Sequence, residues 1–233
     1  MVTFMRPGGR AARQCVLGTF AEIFKRPEKP RIVVVDMPIG LPNKSPCKGR
    51  TAEKIARKLL KNRRSSVFRV PSRKAVYCAA DRKKFPNDKT RYRKACRIAR
   101  ATSDDSKAFA LQGFYICDKI VEVDEFLRRN KKARKNVFES HPELAFWKLN
   151  GGIPLAHAKR HPQGIKKRKK LLLDAKIPLD LIEAVPPKKA KPDDALDSLV
   201  CLVVARRIHR KQARSFPHPP PRDALRLPMA IWA

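Results

Sequence analysis

The sequence predicts an α/β fold in which a mixed sheet is flanked by helices, and three observations lead there. Ile32 to Val35 form an unbroken apolar, β-branched run that ends at Asp36 and meets Pro38, Gly40 and Pro42 at once. A run with no polar alternation fits a strand buried on both faces, as in a parallel sheet with helices on either side. A second strand pattern, Asn136 to Glu139, also ends at a carboxylate and turns at His141-Pro142. Between and after these runs lie helical patterns with apolar stripes.

Taken in order, "CVLGTFAEIFK" reads as a strand end followed by a short helix with Phe20, Ile23 and Phe24 on one face. Residues 50–61 read as an amphipathic helix, and "NRRSSVFRVPSR" (62–73) as a loop without helical period. Residues 104–129 read as one longer helix carrying Phe109, Phe114, Ile120, Val121 and Phe126. A helix after Pro142 should stop at Gly151-Gly152, where glycine accepts the left-handed conformation of a helix end. Residues 165–174 form a very basic helix, and a Pro-Lys linker leads into an apolar one with Leu196, Leu199, Val200 and Val203 as its buried stripe. "SFPHPPPRD" is a stiff connection. "LRLPMAIWA" is expected to close the chain as an edge strand, the position where Pro228 is tolerated. The pattern suits one domain over 1–233, with 1–16 as a degenerate or truncated start and 214–233 as the connection and closing strand; no internal repeat is present.

Lysine and arginine number 55 against 21 acids, a formal charge of +34 over 233 residues. That excess favours a polyanion partner, nucleic acid (DNA or RNA) before an anionic membrane. The 42% hydrophobic content excludes disorder of the whole chain. The six cysteines form no CxxC pair and no zinc-finger spacing, so they read as free thiols of a reducing, cytoplasmic setting. No apolar run is long enough to span a bilayer, and no membrane partner is expected. Arg6, Arg10 and Arg13, without an acid, weakly resemble a transit peptide, a reading that ranks low because domain-like sequence follows directly.

Candidate chemistry sits at four places. Asp36 ends a buried strand, where α/β folds place ligands, and an unpaired carboxylate there needs a cation or a helix N-terminus. Glu139 ends the second strand; if the two strands are neighbours, both acids emerge at one sheet edge. His141, close behind, could orient a carboxylate or move a proton, although a turn histidine before Pro142 is the simpler reading. In "DDALDSLV", Asp194 and Asp197 share one helical face. Asp193 reads as an N-cap, whereas Asp197 lies beside the apolar stripe, where an acid is costly without a partner. Asp36, Glu139, Asp194 and Asp197 together would suit Mg²⁺ or Mn²⁺, and two such ions could activate water and stabilise a leaving oxygen. Arg63, Arg64, Ser65, Ser66 and Arg73 make the 62–73 loop rich in donors for phosphate.

"VVVDMPIGLP", "RRSSVF", "PSR", "KIVEVDEFL", "FESHPELAFWKLNGGIPL", "KRKKLLL" and "DDALDSLV" resemble, in that order, the motifs of the domain of unknown function 429 family, from about residue 17 onward. The resemblance implies a ribonuclease H-like fold and a predicted nuclease. It matches Asp36 to the acid after the family's central strand and Glu139 to the acid of its "E-x-H-P-E" motif. Asp194 and Asp197 match the acids of its last helix, which also resembles the final acidic pair of Holliday-junction resolvases. Family members usually open with a strand carrying a "G-V-D-G" type motif; here "MVTFMRPGGRAARQ" holds no acid, so the N-terminal strands are expected to be truncated. Ser198 stands where alanine is usual, and Glu53 where aspartate is.

The leading expectation is therefore a metal-dependent nuclease. The alternatives are a catalytically inactive nucleic-acid-binding protein of the same fold and, last, a nucleotide-binding enzyme, for which no Gly-rich phosphate loop is found.

Overall fold

The computed structural model describes residues 1–6 and 12–233; Arg10 of the transit-like segment lies outside them. Strands β1 (Val2–Met5) and β2 (Ala12–Cys15) form a separate antiparallel pair, with Val2 opposite Cys15. The main sheet has the order β3-β4-β6-β5, from β3 (Val33–Val35), β4 (Val137–Ser140), β5 (Ser215–Phe216) and β6 (Ile231–Trp232). The first two pairings are parallel and the last is antiparallel, so the sheet is mixed, as expected. One expectation is corrected: the closing strand β6 is interior, between β4 and β5, and "SF" of the proline-rich connection supplies the edge strand. Pro228 precedes β6 and sits in an isolated bridge with Arg222, so it costs the ladder no donor.

The helices are α1 (Glu22–Lys25), α2 (Thr51–Leu60), α3 (Arg73–Ala80), α4 (Asp88–Ala101), α5 (Leu111–Tyr115), α6 (Cys117–Arg129), α7 (Pro142–Leu149), α8 (Pro162–Asp174), α9 (Leu179–Glu183) and α10 (Pro192–His209). Of the single helix expected over 104–129, residues 104–110 are not helical and the rest is two helices, broken at Ile116, whose ψ of 1° leaves the helical range. Helices α3 and α4 were not foreseen, because the basic side chains crowding them hide a narrow apolar stripe of Ala75, Val76, Ala79, Ala95, Cys96 and Ala99. As expected, α7 stops at Gly151 and Gly152, both with positive φ (69° and 82°).

Two apolar layers cover the sheet. Val33 and Val137 pack on one face with Phe4, Phe20, Ile23, Val123 and Leu127. Val34 and Trp232 pack on the other with Leu172, Leu199, Val200 and Val203 of α8 and α10. This split follows from the two-residue period of a strand. The register of β3 on β4 pairs Val35 with Glu139. Glu139 therefore shares the face of Val35, and Asp36, one residue on, belongs to the opposite face with Val34. That parity decides which acids can meet.

Candidate active site

Asp36 stands at the C-terminal end of β3, at the rim of a cleft of about 960 Å³ between β1, β3 and α10. Val34, Lys159, Asp194, Asp197 and Cys201 also line this cleft. The loop after Asp36 is held firmly. Gly40 has φ of +76°, and a Cβ there would lie 2.5 Å from the Met229 side chain and 2.9 Å from the Pro228 carbonyl oxygen. Only glycine permits so close an approach in that conformation. Leu41 N donates to Asp223 Oδ2 at 3.0 Å, which ties the loop to the segment before β6. Asp36 meets solvent in the cleft, yet the surrounding protein raises its carboxyl above the usual range, with His141 and Lys159 opposing.

Asp197 lies one turn into α10, and its carboxyl is raised to about 6 by burial in the first place, against the pull of Lys159, with Asp36 and Glu143 adding repulsion. Asp36 and Asp197 thus feel one another across the cleft, as two acids of one site do. Lys159, on the loop between α7 and α8, donates to Asp197 Oδ2 at 2.8 Å and lies 3.2 Å from Asp193 Oδ2. Its ammonium is raised despite burial, because both aspartates hold it charged. Arg160 reaches Asp193 at 3.3 Å from the solvent side. Burial would push Asp193 up, but Lys159 and Arg160 outweigh it and the net shift is downward. The loop carrying Lys159 touches the start of α8 at Gly164, where a Cβ would fall 2.0 Å from the Ala158 carbonyl oxygen.

Glu139 is not part of this pair, and its expected place among the metal ligands is corrected. It lies on the other face, toward α2, where its Oε1 accepts from Arg50 Nη2 at 2.6 Å and its Oε2 from Arg50 Nη1 at 3.1 Å and Ile39 N at 2.8 Å. Burial pushes Glu139 up to about 7 against the attraction of Arg50. Arg50 completes its fork on Glu53 and on the carbonyls of Ile39 and Gly40. Asp194 lines the cleft, but its Oδ2 accepts from Lys191 N at 3.0 Å, so Asp194, and not Asp193, caps α10.

His141 lies within electrostatic reach of Asp36 and contacts the segment at Ser66. Its Nε2 lies 3.1 Å from the Ser66 carbonyl oxygen, an acceptor, so Nε2 carries the proton. Its Nδ1 is buried and without a hydrogen-bond partner. The expected loop is a short 3-10 helix over Lys61–Ser66. Arg64 and Ser65 are exposed there, Arg63 leans toward Glu143 at 3.5 Å, and Ser66 Oγ donates to the Arg63 carbonyl. Arg73 is corrected as a phosphate ligand: it is engaged by Asp124 and, at 2.7 Å, by Asp223, and it ties α3 to α6 and to the segment before β6.

Sequence reasoning missed Lys159, Arg50, Glu143 as a charged neighbour of Asp197, and Arg168, which donates to Glu143 at 2.5 Å. Among 55 lysines and arginines no local signal marks the few that turn inward.

Hard divalent cations take carboxylate oxygens, and one or two carboxylates with waters and substrate oxygens suffice for Mg²⁺. Asp36 and Asp197, both raised and mutually repelling, meet that minimal requirement. Among the described residues, no three His, Cys, Asp or Glu side chains converge to hold an ion by themselves. The described residues also contain no helix long and apolar enough to cross a membrane.

No curated protein and no solved structure matches the chain. A family model does match it, over residues 1–222, and so reaches further back than the start near residue 17 that the motifs suggested. With the ordered motifs and the mixed α/β sheet, this places the chain in the family described as Protein of unknown function (DUF429).

Proposed function

We propose that this chain is a ribonuclease H-like, metal-dependent nuclease that hydrolyses phosphodiester bonds in DNA or RNA. The observation that carries the reading is the pair Asp36–Asp197, two electrostatically coupled acids on one cleft, reached from separate elements of the fold. Asp36 and Asp197 would hold Mg²⁺ or Mn²⁺, and Asp194 lines the same cleft one helical turn away. The bound cation would supply the positive charge that a phosphodiester needs as negative charge builds on its oxygens.

The protein's own groups account for the rest. His141 Nδ1, buried without a partner within electrostatic reach of Asp36, would in the neutral ring take the proton of an attacking water while Nε2 stays on the Ser66 carbonyl. Arg64 and Ser65, exposed on the neighbouring loop, can bind substrate phosphates. The net charge of +34 draws a polyanion to the surface.

The test is a cleavage assay on single- and double-stranded DNA and RNA with Mn²⁺ or Mg²⁺. The wild type should cut at least one substrate, and Asp36→Asn should abolish cutting. A second reading, a nucleic-acid-binding protein without catalysis, draws support from Lys159, whose ammonium already occupies the acids. Salt-sensitive binding of the same substrates with no cutting would favour it.

A further inference from the structure

We propose that Lys159 is a built-in competitor for the divalent cation: a tethered ammonium that holds Asp197 and Asp193 in the metal-free protein and must leave for the ion to bind. The proposal rests on the metal-dependent reading above. Three observations carry it. Lys159 Nζ lies 2.8 Å from Asp197 Oδ2 and 3.2 Å from Asp193 Oδ2, and so stands between the oxygens of two acids in the manner of a cation ligated by both. The field of the same ammonium reaches Asp36 on the opposite wall.

The charge balance is the second observation. Asp36, Asp193, Asp194 and Asp197 lie about the cleft, and the ion pairs they form among the described residues are with Lys159 and Arg160 alone, so the acids outnumber their paired cations. Glu143, the further acid that Asp197 feels, has its own partners in Arg168 and Arg63. Exchanging the ammonium for a divalent cation lowers that excess.

The third observation is access to solvent. Lys159 is 40% exposed and lies on an irregular segment between two helices, so its flexible stem can swing outward without disturbing α10. Arg160 shares that segment but contacts only Asp193, from the solvent side, and does not enter the acid pair.

Mn²⁺ binding to the full chain, read as loss of the free-ion electron paramagnetic resonance signal, tests the proposal. Lys159→Met keeps the stem and removes the charge, and should bind Mn²⁺ about tenfold tighter or more, the scale of one lost charge-assisted contact. Lys159→Arg should bind more weakly than wild type, because a planar fork grips two carboxylates better than a point charge. Asp197→Asn should lose binding altogether. If Lys159→Met binds no tighter than wild type, or if both lysine variants shift in the same direction, the competitor role is overturned while the metal site stands. If neither the wild type nor Lys159→Met takes up Mn²⁺ at millimolar concentration, the metal reading falls and this proposal with it.

Discussion

Two acids end adjacent parallel strands at the same rim of the sheet, and the protein treats them in opposite ways. Glu139 is sealed: it is 5% exposed, and Arg50, itself 3% exposed, grips both of its oxygens and spends its remaining donors on Glu53 and two carbonyls. Asp36, on the opposite face, opens onto a cleft that it shares with a partly exposed lysine bound to other acids. A planar guanidinium with all three of its nitrogens engaged is a structural clamp. A half-exposed ammonium on a loop can be exchanged. The contrast separates an acid locked into the packing of β4 from acids that face the cleft.

The largest effect should come from breaking the sealed side. Arg50→Met strands Glu139 and Glu53 as buried, unpaired charges, and should cost about 3–5 kcal/mol of stability, read from the urea midpoint. The open side should respond through pH. Asp197 titrates at about 6 in the folded chain against an ordinary 3.8, so the native state holds its proton to higher pH than the unfolded chain. Its contribution to stability is whole below the ordinary value and is lost as pH rises through about 6. Unfolding free energies of wild type and Asp197→Asn, read from urea midpoints, should therefore diverge between these limits, by about 3 kcal/mol at the upper end, with the wild type losing ground. Added Mn²⁺ should remove that loss in the wild type alone. The smallest effect belongs to the rim. Arg64→Ala should weaken nucleic-acid binding evenly across sequences and lower the salt slope by about 1. Arg73→Ala, in contrast, should lower stability, since its partners are Asp124 and Asp223.

Much of this was legible in the residues. Asp36 stands out because it ends a β-branched run just before a rigid Pro- and Gly-containing loop, although an aspartate that merely starts a turn fits the same pattern, and Asp197 because it lies beside an apolar stripe. Glu139 looked equally apt, and local sequence offers no means of separating it from Asp36. The difference lies in register: Val35 opposite Glu139 places the two acids on opposite faces, and a shift of one residue would have joined them. Lys159 and Arg50 were hidden by the basic composition, because long side chains choose partners across the fold rather than along the chain. The helical breaks at Ile116 and the interior place of β6 likewise depend on tertiary packing, which overrides local pattern.

Gly164 contributes no functional group, yet the loop that carries Lys159 can press against α8 only because nothing projects from this residue toward Ala158. Where an ammonium hovers above two aspartates is thus settled five residues downstream, by empty space the width of a methyl group. Evolution or an engineer could retune the grip of the cleft on cations there, without touching a single charge.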